Sequence, residues 1–270
     1  MIDIGTNLAN KAFRRDLADV LRRARAAGVE AIVATGTSEP ASRAVWEIAE
    51  GHHEAAPRLF CTAGVHPHHA RDFDGGTIAA LRTLAKRPEV VAIGECGLDF
   101  DRNFSPPDAQ KRAFEAQLAL AVELDMPVFL HERRAHDDFV AILERYRPKL
   151  PGAVVHCFTG DGRALDRYLA LDCHIGITGF ICDERPGRGS HLIDLVRRIP
   201  ANRLMIETDA PYILPRTMPR AERPDDGRNE PGLLRWVLAA VAKARGESVE
   251  DVERATDATA RAFFGLSDRA

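Results

Sequence analysis

Short apolar runs rich in β-branched residues alternate along the chain with longer segments whose apolar positions recur every three to four residues. "MIDIG" precedes "DLADVLRRARAAG", which closes on Gly28, and "EAIVATG" precedes "PASRAVWEIAEG". The alternation continues through "RLFCTAGVH", "EVVAIGE", "PVFLH", "GAVVHCF", "CHIGITG" and "RLMIETD", each followed by an amphipathic stretch. A last helical pattern, "VEDVERATDATARAFF", ends at Gly265. Strand-like runs alternating with 3.6-period segments predict parallel βα units. Eight such units in a chain of 270 residues predict an α/β fold with a single (β/α)8 TIM barrel over residues 1–270. An open doubly wound sheet is the rival, but no GxGxxG follows the first strand. The one long irregular stretch, "PYILPRTMPRAERPDDGRNEP" (211–231), reads as a loop bordering a site.

In such a barrel the C-terminal ends of the strands form the active face. The third strand ends on His66 and His68, the fourth on Glu95, the fifth on His131, the sixth on His156, and the eighth on Glu207 and Asp209. Carboxylates and imidazoles gathered at one mouth are the donors that divalent ions such as zinc and manganese take. Singly, each ending has a plain explanation as a hydrogen-bonded or capping residue. Together they favour a metal site. His52, His53, His69, His136, His174 and His191 fall in helical or loop contexts and read as solvated surface. Strand alternation turns Cys96 and Cys157 away from a mouth that Glu95 and His156 face, so both read as packing residues.

Composition adds limits. A formal net charge of -3 excludes a chain that is basic overall, so a phosphate-bearing substrate must be held locally. No apolar run approaches the roughly 20 residues of a membrane span. The N-terminus has no signal-type pattern. Five cysteines without a CxxC pair fit a reducing, cytoplasmic compartment.

The motifs "GVHPH", "AIGECGLDF", "VFLH", "VVHCFTG", "IGITGF", "IETDAPYILP" and "RNEP" occur in the order found in the TatD family of metal-dependent hydrolases, and the chain resembles that family from "DIGTNL" to "TARAFF". The resemblance implies an amidohydrolase-like barrel and a hydrolase of ester bonds, a metal-dependent deoxyribonuclease. For the branch with "DIGxNL" it implies a 3'-5' exonuclease on single-stranded DNA or RNA, with Mg2+ as the expected ion, Mn2+ or Zn2+ as alternatives, and a DNA-repair role. Carried over by position, Glu95, His131, His156 and Asp209 are the expected metal ligands. Glu95 and Asp209 are also the expected catalytic residues, and His66 matches a site histidine for metal, water or phosphate. Most of the family opens with H-x-H at the end of the first strand. Here Gly5 and Asn7 stand there, which removes half of a two-metal site.

On this reading Asp209 orients or deprotonates the attacking water, and Glu207 positions a ligand histidine or faces outward. Arg133, and Arg228 with Asn229, are expected to grip phosphate, and Tyr212 or Phe180 to stack on bases. The protein is expected to act as a cytoplasmic monomer with single-stranded nucleic acid as its partner. A D-aminoacyl-tRNA deacylase, or another ester or amide hydrolase on the same barrel, is the alternative. A non-catalytic binding barrel is a further rival.

Overall fold

The computed structural model describes residues 1–51, 56–185 and 188–266, so His52 and His53 lie outside the described residues. Its strands are β1 (Ile2–Thr6), β2 (Ala31–Ala34), β3 (Arg58–Ala63), β4 (Val90–Asp99), β5 (Val128–Arg133), β6 (Ala153–Val155), β7 (His174–Ile177) and β8 (Leu204–Ile206). The helices are α1 (Leu17–Ala26), α2 (Glu39–Glu50), α3 (Gly75–Leu84), α4 (Pro107–Leu124), α5 (His136–Tyr146), α6 (Gly162–Ala170), α7 (Leu192–Leu195), α8 (Leu234–Arg245) and α9 (Val249–Phe264). The strands form one sheet in the order β1 to β8, every neighbouring pair parallel. Backbone bonds across β1 and β8, Asp209 N to Gly5 O at 2.8 Å and Asn7 N to Ala210 O at 2.8 Å, bring its two edges together as a (β/α)8 barrel.

Alternate strand positions sort into two clusters, as a period of two requires. Ile32, Cys61, Ile93, Leu130, Val155 and Ile175 pack with the apolar faces of the helices. Val33, Phe60, Phe129, Val154 and Met205 pack on one another and against Phe264 of α9. The last helix therefore plugs one end of the barrel and leaves the strand C-termini to form the open mouth. Among the described residues no helix is long and apolar enough to cross a membrane.

Two elements differ from the sequence pattern. The fourth strand does not stop at Glu95 but runs to Asp99, with a register shift against β5 between Gly94 and Cys96. Gly97 permits this: its φ is +146°, and a Cβ there would come 1.9 Å from the carbonyl oxygen of His131. The seventh helix is also shorter than "SHLIDLVRRI" suggests. It is a four-residue turn continued by a 3-10 turn to Arg198. Pro200 ends it by driving Ile199 into extended backbone.

Candidate active site

Glu95 lies buried in β4, and its Oε1 is the focus of the mouth. His131 Nδ1, from β5, lies 2.9 Å from that oxygen. His156 Nε2, just past β6, lies at 2.8 Å. His66 Nε2, just past β3, lies at 3.3 Å. Three imidazoles from three different strand ends thus converge on one carboxylate oxygen. Asp209 follows β8 with φ +51° and accepts a hydrogen bond from Asn7 Nδ2 at 3.0 Å. These five residues line one cavity of about 690 Å³.

The electrostatics follow from burial and crowding. Burial alone would raise the Glu95 carboxyl, but the surrounding imidazoles hold it well below the usual carboxylate range. Burial pushes His66 down to about 4, so its ring is neutral. His66 Nδ1 accepts the backbone N–H of His68 at 3.0 Å, which leaves the proton on Nε2. For His156, burial opposes the charged ring, yet Glu95 and Glu207 together raise it well above an ordinary histidine. Asp209 is pushed up to about 8 by burial and by the neighbouring carboxylates.

Glu207 is fully buried and faces into the barrel, not outward. Its Oε2 lies 3.4 Å from His156 Nδ1, and its Oε1 accepts the Cys157 backbone N–H at 2.5 Å. The carboxylate occupies space that only glycines leave open. A Cβ on Gly5 would come 2.2 Å from Glu207 Oε2, and one on Gly176 would come 2.7 Å from Oε1. Glycine stands where H-x-H would begin because the Glu207 side chain fills that place.

The donor set suits a divalent cation. Both ring nitrogens of His156 face carboxylates, so when Nδ1 donates to Glu207 the Nε2 lone pair faces Glu95 Oε1. Such a contact is repulsive unless a proton or a cation lies between the two atoms. His131 Nε2 is buried with no hydrogen-bond partner, 3.6 Å from Asp99 Oδ2. Ring nitrogens of His66 and His131 and a carboxylate oxygen of Glu95 lie within 4.8 Å of one another.

Other expectations fare differently. Arg133 lines the cavity, with its Nε donating to Asp101 at 2.8 Å. Arg228 does not line it. Its guanidinium donates to both oxygens of Asp16, at 2.9 and 2.6 Å, and to the Ala12 carbonyl, and so pins the 211–231 loop to the start of α1. Asn229 is fully buried and donates to the carbonyls of Thr208, Tyr212 and Ile213, so its amide is spent on the backbone behind the mouth. Tyr212 and Phe180 both line the cavity. Cys96 is buried in the core, but Cys157 lines the cavity. Strand alternation does not reach Cys157, since β6 has ended at Val155 and Cys157 has φ +46°. His69 and His191 are exposed, whereas His136 and His174 are half-buried. His136 sits 3.1 Å from the Tyr168 hydroxyl.

Asp99 is the functional candidate that strand endings missed. It is buried, and its Oδ2 lies 2.7 Å from His68 Nε2. Burial alone would raise it, but the neighbouring rings of His131 and His68 and the Arg102 backbone N–H outweigh burial and hold it below the ordinary aspartate range. The signal was the i, i+2, i+4 spacing of Glu95, Gly97 and Asp99 in "ECGLD", which sets them on one side of a strand.

The chain is 51% identical over 266 residues to the 3'-5' ssDNA/RNA exonuclease TatD of Klebsiella pneumoniae, covering 98% of each chain. It is 51% identical over 269 residues to the protein of that name from Pantoea vagans, covering 99% of this chain and 100% of that one. A crystal structure of a TatD homologue from Escherichia coli K12 superposes with a TM-score of 0.87 at 28% identity, covering 98% of both chains. A profile of the family described as TatD related DNase matches residues 2–265, so that the chain belongs to the TatD-related DNase family.

Proposed function

We propose that this protein is a metal-dependent hydrolase of phosphodiester bonds that shortens single-stranded DNA or RNA from the 3' end. The observation that carries this reading is the convergence of His66, His131 and His156 on one buried oxygen of Glu95, at the floor of a cavity of about 690 Å³. The names of the relatives at about half identity over the whole chain support it. Glu95, His131, His156 and Asp209 would hold a divalent ion, which we take to be Mg2+, although the imidazoles also suit Mn2+ or Zn2+. When bound, such an ion lowers the pKa of a coordinated water and polarises the phosphoryl group.

The chain's own residues supply the rest. Asp209, half-buried beside the floor of the mouth, is placed to orient a water and take its proton. Asn7 fixes one oxygen of that carboxylate. Glu207, behind His156 Nδ1, sets the ring so that Nε2 faces the floor. His66 carries its proton on Nε2, which makes it a hydrogen-bond donor to a phosphoryl oxygen. Arg133, at the rim, is suited to a phosphate farther along the strand. The five cysteines are free thiols, in keeping with a reducing compartment. We extend the proposal to a cytoplasmic monomer that trims 3' ends in DNA repair.

The test uses metal-stripped protein, a 5'-labelled single-stranded oligonucleotide, and Mg2+, Mn2+ or Zn2+ restored one at a time. A ladder of 3'-shortened products that requires metal is expected, with a loss of about a hundredfold or more in His131→Ala. Shortening without metal, or none with any ion, would sink the reading. A panel of esters and amides, D-aminoacyl-tRNA included, would then find the substrate.

A further inference from the structure

The connection between β4 and α4, residues 100–106, forms one rim of the mouth. It carries Phe104, whose side chain is 59% exposed, and Arg102; both line the cavity. The loop is tied down on every side. Asp99 Oδ1 accepts the backbone N–H groups of Asp101 and Arg102 at 3.0 and 2.9 Å. Asn103 Nδ2 donates to the Phe100 carbonyl at 2.8 Å, and Arg71 donates to the Phe104 carbonyl at 3.0 Å. Ser105 Oγ donates to the His68 carbonyl at 2.9 Å, and Gln110 donates to the Ser105 carbonyl at 2.8 Å. Phe104 is therefore held in water by a rigid frame, with its ring edge-to-face on His68 at 4.7 Å.

A single exposed phenylalanine would mean little. Among the described residues, however, the large apolar side chains left exposed are Phe104, Tyr212 and Val249, and the two aromatic ones line the same cavity. The Tyr212 hydroxyl accepts from Asn10 Nδ2 at 2.9 Å, so this ring too is steadied. The charges divide in a similar way. Arg133 and Arg134 both pair with Asp101, while Arg102 makes no side-chain hydrogen bond or salt bridge among the described residues.

Resting on the nuclease reading above, we propose that Phe104 is a stacking platform for an unpaired base near the scissile phosphate, and that Arg102 contacts the adjoining phosphate. A base offers its face to such a ring only when it is unstacked, so the loop selects single strands without reading sequence. Phe104 is then a specificity residue that acts on binding, apart from the carboxylates and imidazoles below it.

The test is a cycle between protein and substrate. Wild type and Phe104→Ala are compared on a normal oligonucleotide and on one carrying tetrahydrofuran abasic residues at its 3' end. Phe104→Ala should raise KM on the normal strand about tenfold, the scale of one lost base–aromatic stack, with kcat little changed and Phe104→Trp near wild type. On the abasic strand the substitution should have no further effect. Arg102→Ala should flatten the dependence of log affinity on log salt by about 0.7, one phosphate's worth for a single strand. A KM change under twofold, or an equal loss on both substrates, overturns the proposal. Quenching of an oligonucleotide with 2-aminopurine near its 3' end keeps the two readings apart. Quenching that needs Phe104 in a protein that cleaves nothing would sink the nuclease and leave the stacking site. Cleavage without such quenching would do the reverse.

Discussion

The two sides of the mouth are built on opposite plans. The β3–β6 side projects His66, His68, Glu95, Asp99, His131 and His156, and its imidazoles crowd buried carboxylates. Among the described residues the β8–β1 side offers no imidazole. It presents Asn7 and Asp209, joined by a 3.0 Å hydrogen bond, and keeps Gly5 clear for the buried Glu207. On one side the side chains reach the floor directly. On the other, a carboxylate reaches it from behind, through the ring of His156. The absence of H-x-H is therefore a packing solution, in which Glu207 fills the volume that a first-strand histidine would need.

The strongest way to break this comparison is to restore the histidine. In Gly5→His a Cβ would meet Glu207 Oε2 at 2.2 Å, inside a region with no exposed surface. We expect overpacking of about 3 kcal/mol, seen as a loss of roughly 6–12 °C in melting temperature. Removing the obstruction with Glu207→Gly in the same chain should return part of that loss, because the two sites share one volume. A Gly5→His protein that melts like wild type and binds an additional equivalent of metal would show that the two sides are interchangeable, and the comparison would fail.

A subtler change sharpens it. Glu207→Gln keeps the shape, and the amide oxygen can still accept from Cys157 N–H. It removes the charge behind His156 Nδ1 and, with it, the preference for the tautomer that turns the Nε2 lone pair to the floor. Metal affinity measured by chelator competition should fall by about 10- to 100-fold, the usual cost of losing such a partner, with the melting temperature of the metal-free protein little changed. Unchanged affinity would mean that Glu207 only fills space.

The sequence makes the β3–β6 side far more legible than the β8–β1 side, and the reason is physical. His131 and His156 stand at abrupt ends of apolar runs, where a polar residue is conspicuous and the barrel's polarity says which way it faces. Asp99 escaped because Gly97 carries β4 past its apparent end, and the close approach to the His131 carbonyl that allows this is a tertiary fact. Cys157 lines the cavity, against the strand pattern, because alternation holds only while the strand lasts and β6 ends at Val155. Arg228 and Asn229 look like phosphate ligands in "GRNEP", yet their partners, Asp16 and three loop carbonyls, include groups some 200 residues away in the chain. Glu207 was ambiguous between facing in and facing out until Gly5 and Gly176 revealed the space it occupies.

The β8–β1 side holds one more carboxylate, whose effect is smaller and runs with pH. Asp3 is fully buried at the seam. It accepts from Thr208 N at 3.0 Å, Thr208 Oγ1 at 2.5 Å, Thr6 Oγ1 at 2.9 Å and Gly5 N at 3.3 Å. Burial pushes its pKa up to about 7 against an unfolded value near 3.8, even though these hydrogen bonds pull the other way. Between those two values the folded chain holds a proton that the unfolded chain has released, so the contribution of Asp3 to stability is full at low pH and declines as pH rises toward 7. Asp3→Asn cannot titrate, and its amide can still bond to both threonines. The deficit of the variant relative to wild type should therefore be largest near pH 4.5 and smaller at pH 7.5. The difference should be at least about 1 kcal/mol, or roughly 2–4 °C of melting temperature. A deficit that grows with pH would mean that the hydrogen bonds outweigh burial and that Asp3 closes the seam as an anion, which would give the β8–β1 side the same buried-carboxylate logic as Glu95 on the other.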